Sequence, residues 1–272
     1  MDPLLTLFDE APGEELPLPA ELLALHGTLR MRSRPDRPHV FANFVASLDG
    51  IVAVDPPNGG GAEINGGNLQ DLAVMGLLRS VADAVIIGAG NLRAEGNHVW
   101  TGEHVFPGLA GPYARLRAAL GKSAAPLQVV VSGSGDLDLS RAVFSGSVPA
   151  VVVTTDAGRE RLRAQRSAVR IVVSDASVGW VSLDAVLQAA QLGPGTFVLV
   201  ESGPHSTTRY LAEGALDELF LTRAPILVGR PREPATFGLV EGTFFRPGVV
   251  HGRLLSARRR GDHLFVRYGF RP

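Results

Sequence analysis

From Pro38 onward, compact apolar runs alternate with stretches whose apolar residues recur at helical spacing. The runs cover 40–47, 84–87, 127–131, 150–154, 169–173 and 197–200, each bounded by turn or polar residues. Between the first two, Leu69, Leu72, Ala73, Met75, Leu78 and Val81 predict a helix over Leu69–Val81. Asp156 is placed to N-cap a helix to Gln165, and Ser182 one to Gln191. Such alternation predicts an α/β fold with a mixed, mostly parallel sheet flanked by helices. The end departs from it: 219–222 and 226–228 flank Pro225, and 252–257 and 263–268 read as an antiparallel hairpin with 258–262 as its loop. The stretch 56–61 is a proline- and glycine-rich loop.

Residues 1–37 differ from this body. They are acidic at first and rich in proline, and they predict an N-terminal arm with one short helix starting near Pro19 or Glu21. Its leucines need a surface, so the arm is expected to pack on the body (38–272) or on a partner subunit. The Arg-rich 30–37 reads as a solvated linker, as does Arg258-Arg-Arg260 in its loop.

Composition narrows the function. A net charge of -1 over 272 residues argues against nucleic-acid and anionic-membrane binding. No apolar run approaches the roughly 20 residues of a bilayer span, and the acidic N-terminus does not read as a secretory signal, so a cytoplasmic protein is expected. There is no cysteine, hence no disulfide, thiolate metal site or cysteine nucleophile. Lys122 is the only lysine, in a loop where a surface position is expected. The seven histidines lack metal-binding spacing, and neither a G-x-S-x-G elbow nor a Walker A sequence occurs; no metal is expected.

Two turns can hold a ligand. An apolar run enters Gly88-Ala-Gly90-Asn91, where missing side chains let backbone N–H groups approach a phosphate or ribose. Arg93 stands where a dinucleotide fingerprint needs its third glycine, so this is either a ligand turn of another kind or a plain strand–helix turn. A second run enters Glu201-Ser-Gly-Pro204, followed by His205, Ser206, Thr207 and Thr208; hydroxyls and N–H groups at a helix start suit a pyrophosphate, or serve as ordinary caps. Glu201 either binds a substrate amine or hydroxyl or caps backbone, and Asp49 in Ser47-Leu-Asp-Gly50 reads locally as a turn former. Arg93 and Arg79 are candidates for phosphate contacts, Arg79 reading better as a helix-face ion pair.

The blocks Ala42-Asn-Phe-Val-Ala-Ser-Leu-Asp-Gly50, Leu77 through Glu95, Val200-Glu-Ser-Gly-Pro204 and Asp217 through Gly229, in this order and spacing, resemble the reductase domain of bacterial riboflavin biosynthesis. The likeness spans roughly 38–270 and is greatest to stand-alone, actinobacterial-type pyrimidine-reductase-like members, which also carry an N-terminal arm. It implies a dihydrofolate-reductase-like fold, a homodimer, and NADPH-dependent reduction of the ring-opened ribosyl group of 5-amino-6-(5-phosphoribosylamino)uracil to ribityl. By position it places Ala46 and Asp49 near the nicotinamide, and Gly88, Gly90, Asn91 and Glu95 along the riboses and cleft. Ser132 and Gly133 fall by the adenosine 2′-phosphate, and Gly203, Pro204, His205 and Ser206 around the pyrophosphate. Asp49, Glu95 and Glu201 become the catalytic candidates, and Asn43, Arg93 and Glu201 the substrate-binding ones.

Departures bear on the substrate. Asn43 stands where the bifunctional members usually have Lys and supplies no charge; Asn91, Glu95, Ser202 and His205 replace the usual Thr, Asp, Gly and Thr. No cysteine is present to build a deaminase zinc site. A diverged reductase of a pterin, folate or other carbonyl, and a non-catalytic nucleotide-binding protein, are the alternatives.

Overall fold

The computed structural model describes residues 1–54, 61–174, 180–230, 236–245 and 248–271. Of the expected loop at 56–61, all but Gly61 lies outside the described residues. The strands in chain order are β1 (Leu5–Asp9), β2 (Glu14–Glu15), β3 (Arg30–Met31), β4 (His39–Ala46), β5 (Ile51–Val54), β6 (Ala84–Gly88), β7 (Leu127–Ser132), β8 (Ala150–Thr154), β9 (Arg170–Val173), β10 (Phe197–Val200), β11 (Glu218–Arg223), β12 (Thr236–Gly238), β13 (Arg253–Arg260) and β14 (His263–Gly269). The α-helices are α1 (Ala20–His26), α2 (Ala62–Asn65), α3 (Leu69–Val81), α4 (Ala89–Ala94), α5 (Gly102–Val105), α6 (Ala110–Ala119), α7 (Asp156–Leu162), α8 (Leu183–Ala189) and α9 (Pro204–Ala212).

One ten-stranded sheet runs β1-β13-β14-β11-β4-β10-β6-β7-β8-β9. The seven strands from β11 to β9 are parallel, and β14, β13 and β1 extend the sheet in antiparallel fashion. The α/β class, the mostly parallel centre and the closing hairpin are as the sequence predicts. Central strands bury both faces, which is why they read as unbroken apolar runs. Phe41, Val85, Ile87, Val130 and Leu199 face one core with α3, whereas Ala42, Ile86, Val129, Val198 and Val200 face the other with α8 and Tyr210 of α9. Helix α3 starts where Asn68 accepts a bond from the Asp71 N–H at 2.9 Å, and Ser182 caps α8 as expected.

Several expectations need correction. Thr155, not Asp156, caps α7, which ends at Leu162. The run 226–228 is not a strand, and two short strands outside the predicted runs, β5 and β12, pair with each other. The hairpin loop is shorter than expected: β13 continues to Arg260, so Arg258 is buried within a strand rather than solvated. Arg34 and Arg37 are likewise no free linker, since both bind the buried Asp217, Arg37 Nη1 at 2.7 Å. Lys122 is inserted against Asp83 and over the Phe197 ring rather than lying on the surface.

The arm holds its helix, α1, and adds β1 to the sheet edge. Leu22, Leu25, Leu29 and Met31 are buried, and two buried arginines of the hairpin hold the chain around them. Arg258 donates to His26 O at 2.8 Å, Thr28 O at 2.8 Å and Asp9 Oδ2 at 2.7 Å; Arg267 donates to Arg30 O at 2.7 Å and to Glu218 Oε2 at 2.6 Å. Removing one member of a buried, hydrogen-bonded ion pair strands the other charge. Arg258→Ala is therefore expected to cost about 3–5 kcal/mol in denaturant unfolding and to open residues 1–30 to proteolysis. A loss within surface-mutation range would refute the clamp.

Candidate functional site

Glycine turns close the carboxyl ends of two neighbouring parallel strands, β6 and β10, where open α/β sheets bind ligands. The turns touch. A Cβ on Gly88 would lie 3.5 Å from Gly203 N and 3.6 Å from Ser202 Cβ, and Asn91 Nδ2 donates to Glu201 O at 3.0 Å. One side chain thus stitches the two turns together. A Cβ on Gly90 would meet nothing within 4 Å, so the protein's own packing does not require glycine there.

Parity along β10 turns Phe197 and Leu199 toward the α3 face, and Glu201 follows them. Its Oε2 lies 2.8 Å from both Nε and Nη2 of Arg79, in the last turn of α3. Both side chains are almost fully buried, at 8% and 3% exposure, and Glu201 Oε1 is buried with no hydrogen-bond partner. Arg79 Nη1 is 2.8 Å from His98 Nε2, and His98 Nδ1 is 3.4 Å from Glu95 Oε2. All three guanidinium nitrogens are engaged, so Arg79 is an ion-pair residue as expected, its partner Glu201 lying at a strand end rather than on the helix. Burial, helped by the Arg79 and His104 charges, pushes His98 down to about 3. Burial raises Glu95, against the pull of Arg79 and with the push of Glu201.

On the opposite face, Gly133, His205 and Ser206 line an open pocket of about 180 Å³ with Val131, Trp180, Val181 and Arg209. No side chain caps α9, whose N-cap is Gly203 and whose first residue is the buried Pro204. The Arg209 guanidinium sits 4.6 Å over the Trp180 ring. His205 packs edge-on to Phe237 at 5.8 Å.

The remaining candidates lie elsewhere. Asp49 accepts from Ser47 Oγ at 2.6 Å, Gly229 N at 2.7 Å and Val228 N at 3.2 Å; these bonds hold it down to about 2 and tie its turn to the loop after β11. Ala46 ends β4, buried, its carbonyl bonded to Ala224 N at 2.8 Å. Asn43 lines an inner cavity of about 20 Å³, one water's worth, with Thr222, Ser256, Arg258 and Arg267. Arg93 is 59% exposed, 3.6 Å from Asp136. Ser132 lines neither pocket; its Oγ is buried without a partner. Sequence reasoning missed His98, Trp180 and Arg209. Only His98, three residues after Glu95, left a trace.

Burial keeps His26, like His98, neutral down to about 3. Below the ordinary histidine value the unfolded chain takes up protons that the folded chain refuses, so stability falls as pH drops from about 6.5 to about 3. Each histidine contributes up to about 1.4 kcal/mol per pH unit. Denaturant unfolding between about pH 6 and 5 should show this slope, and His98→Gln should remove one histidine's share. An identical slope in the variant would contradict the neutral His98.

Residues 38–264 match the model of the family described as the RibD C-terminal domain. A 2,5-diamino-6-ribosylamino-4(3H)-pyrimidinone 5′-phosphate reductase of Archaeoglobus fulgidus is 25% identical over 202 residues, 73% of this chain and 85% of that protein. A pyrimidine reductase-like protein of Corynebacterium diphtheriae superposes with a TM-score of 0.60 at 24% identity, over 86% of this chain and 92% of that one. RibD of Acinetobacter baumannii superposes with a TM-score of 0.62 at 18% identity over 87% of this chain and 59% of its own length. These two structures share the fold. The chain belongs to the RibD C-terminal domain family.

Proposed function

We propose that this RibD C-terminal domain is an NADPH-dependent reductase that converts the ribosyl group of 5-amino-6-(5-phosphoribosylamino)uracil to ribityl. The observation that supports this most is the pocket beside the uncapped start of α9, where residues about 70 positions apart, Gly133 and His205–Ser206, meet. When bound, the nicotinamide supplies the hydride that goes to C1′ of the opened sugar. The His205 N–H in the first turn of α9, where Ser206 N and Thr207 N already donate to Gly203 O, suits the pyrophosphate together with the Ser206 hydroxyl, and the room at Gly90 suits the ribose on the nicotinamide side. Trp180, with Arg209 stacked over its ring, lines the wall where adenine would lie. The segment 132–138 has no basic residue, so Arg209 is the cation available for a 2′-phosphate.

Across the strand ends, the unpaired Glu201 Oε1 is assigned to a substrate amine or hydroxyl, and Glu95 to the proton that accompanies the hydride. Asp49, held well into its ionised range, is assigned to positioning the 226–229 loop by the nicotinamide rather than to proton transfer. In this reading the protein is a cytoplasmic homodimer; among the described residues no helix is long and apolar enough to cross a membrane. Asn43, uncharged and facing an inner cavity, favours one second reading, a diverged reductase of a pterin, folate or other carbonyl.

The deciding experiment is NADPH consumption with the purified ribosyl phosphate: turnover is expected, and tight NADPH binding without it would overturn the substrate. Dihydrofolate turnover in that case would support the second reading. For the cofactor, Arg209→Ala should weaken 2′,5′-ADP binding about tenfold while leaving 5′-AMP unaffected, followed by Trp180 fluorescence. Gly90→Ala should stabilise the free protein by up to about 1 kcal/mol and weaken NADPH binding; unaltered binding would free that turn from the cofactor.

A further inference from the structure

Four side chains on the α3 face form a continuous chain, Glu201–Arg79–His98–Glu95, buried at its Glu201–Arg79 end and half-buried at His98 and Glu95. Its two ends are carboxylates on different strand–turn units, and a single guanidinium lies between them. Arg79 binds Glu201 directly, whereas its charge acts on Glu95 through space, with an imidazole set between them.

The imidazole has no freedom of tautomer. An arginine N–H can only donate, so His98 Nε2, 2.8 Å from Arg79 Nη1, must be the accepting nitrogen. A neutral ring with Nε2 as acceptor carries its proton on Nδ1, which faces Glu95 Oε2. Protonation of Nε2 would bring a second positive charge against Arg79, and the desolvated ring resists it. The ring also makes T-shaped contacts with Trp100 at 4.8 Å and His104 at 4.5 Å, which restrain its plane.

We propose that His98 is a positioning residue: locked by Arg79 in one tautomer, it orients Glu95 to deliver the proton of the reduction. The proposal rests on the reductase reading given above. In that reaction the carbon–nitrogen double bond of the opened ribosylamine gains the hydride of NADPH at C1′. Its π pair passes to nitrogen, nitrogen takes the Glu95 proton, and Glu95 is left as a carboxylate for solvent to reprotonate. Direct pairing with Arg79 would hold Glu95 ionised and unable to donate. An intervening neutral imidazole supplies aim without a full positive charge. The charged and titratable groups facing Glu95 and His98 are Arg79 on α3, Glu201 after β10 and His104 on α5.

The test compares His98→Leu, which fills the space without donor or acceptor, with His98→Gln, whose amide oxygen and N–H reproduce the accept-and-donate pair. His98→Leu should lower kcat about 10²-fold with KM for NADPH unchanged and move the alkaline limb of the pH–rate profile upward, since the carboxylate loses the polar Nδ1–H set 3.4 Å from it. His98→Gln should restore most of the rate and the original limb. A loss of equal size in both variants, or a kcat within twofold of wild type for His98→Leu, would overturn the proposal.

An infrared measurement on the ligand-free protein separates this from failure of the reductase reading. The protonated-carboxyl band in the difference between wild type and Glu95→Gln should titrate at higher pH in His98→Leu than in wild type. Asp71, raised by its own burial, cancels in the difference. No Glu95 band, or an unmoved titration, refutes the role of His98 even if the substrate is another compound.

Discussion

The buried ion pair between Arg79 and Glu201 fixes how α3 sits on the sheet, and the site depends on that placement. Two charges withdrawn from water are costly, and their attraction repays the loss only with close geometry and further hydrogen bonds. Here Glu201 Oε2 takes both Nε and Nη2, and the third nitrogen finds His98. One oxygen is left over. An apolar pair would pack α3 against β10 as well, but it would leave no unpaired Oε1 at a strand end and no anchor for His98. The pair is thus better understood as setting register and aim than as a source of net stability.

The same use of arginine recurs where the arm meets the body. Arg258 and Arg267 each thread one guanidinium among backbone carbonyls and a carboxylate, and Asp217 gathers Arg37 and the Val40 N–H. Five donors in a rigid plane suit a coil crossing a sheet edge, because carbonyls with no ladder partner still need bonds once buried. The arm therefore becomes part of the sheet through β1 rather than a loose extension. The single lysine, Lys122, meets its one carboxylate, Asp83, as a point charge.

The central strands were legible because burial on both faces writes itself as apolar runs, and α3 because its apolar residues keep one side. The reading weakened wherever a residue's role depends on a distant partner. Arg258 looked like loop charge because the carbonyls it binds lie more than 200 residues away. α5 and α6 are short and carry little apolar periodicity, being held by packing of Tyr113 against the glycines at 76 and 102. In the candidate site, the glycine turns and Glu201 announced themselves at strand ends, whereas the Arg79–Glu201 pair joins positions 122 apart and no local pattern encodes it. Trp180, in the coil before α8, and Arg209, on α9, lie 29 positions apart, and no local pattern joins them.

The two faces of the strand ends carry different chemistry. Toward α8 and α9 lie an open pocket, a helix start without a side-chain cap, and an arginine stacked on an aromatic ring. Toward α3 lie a desolvated carboxyl, a neutral imidazole and a carboxylate oxygen without a partner. A hydride and a proton must not meet each other before they meet the substrate. In the proposed reaction, strand ends with the pocket on one face and Glu95 on the other would supply that separation by topology, with the Gly88 and Gly203 turns as the seam. Asn91, which joins those turns, is then the one side chain whose position both halves of the reaction would share.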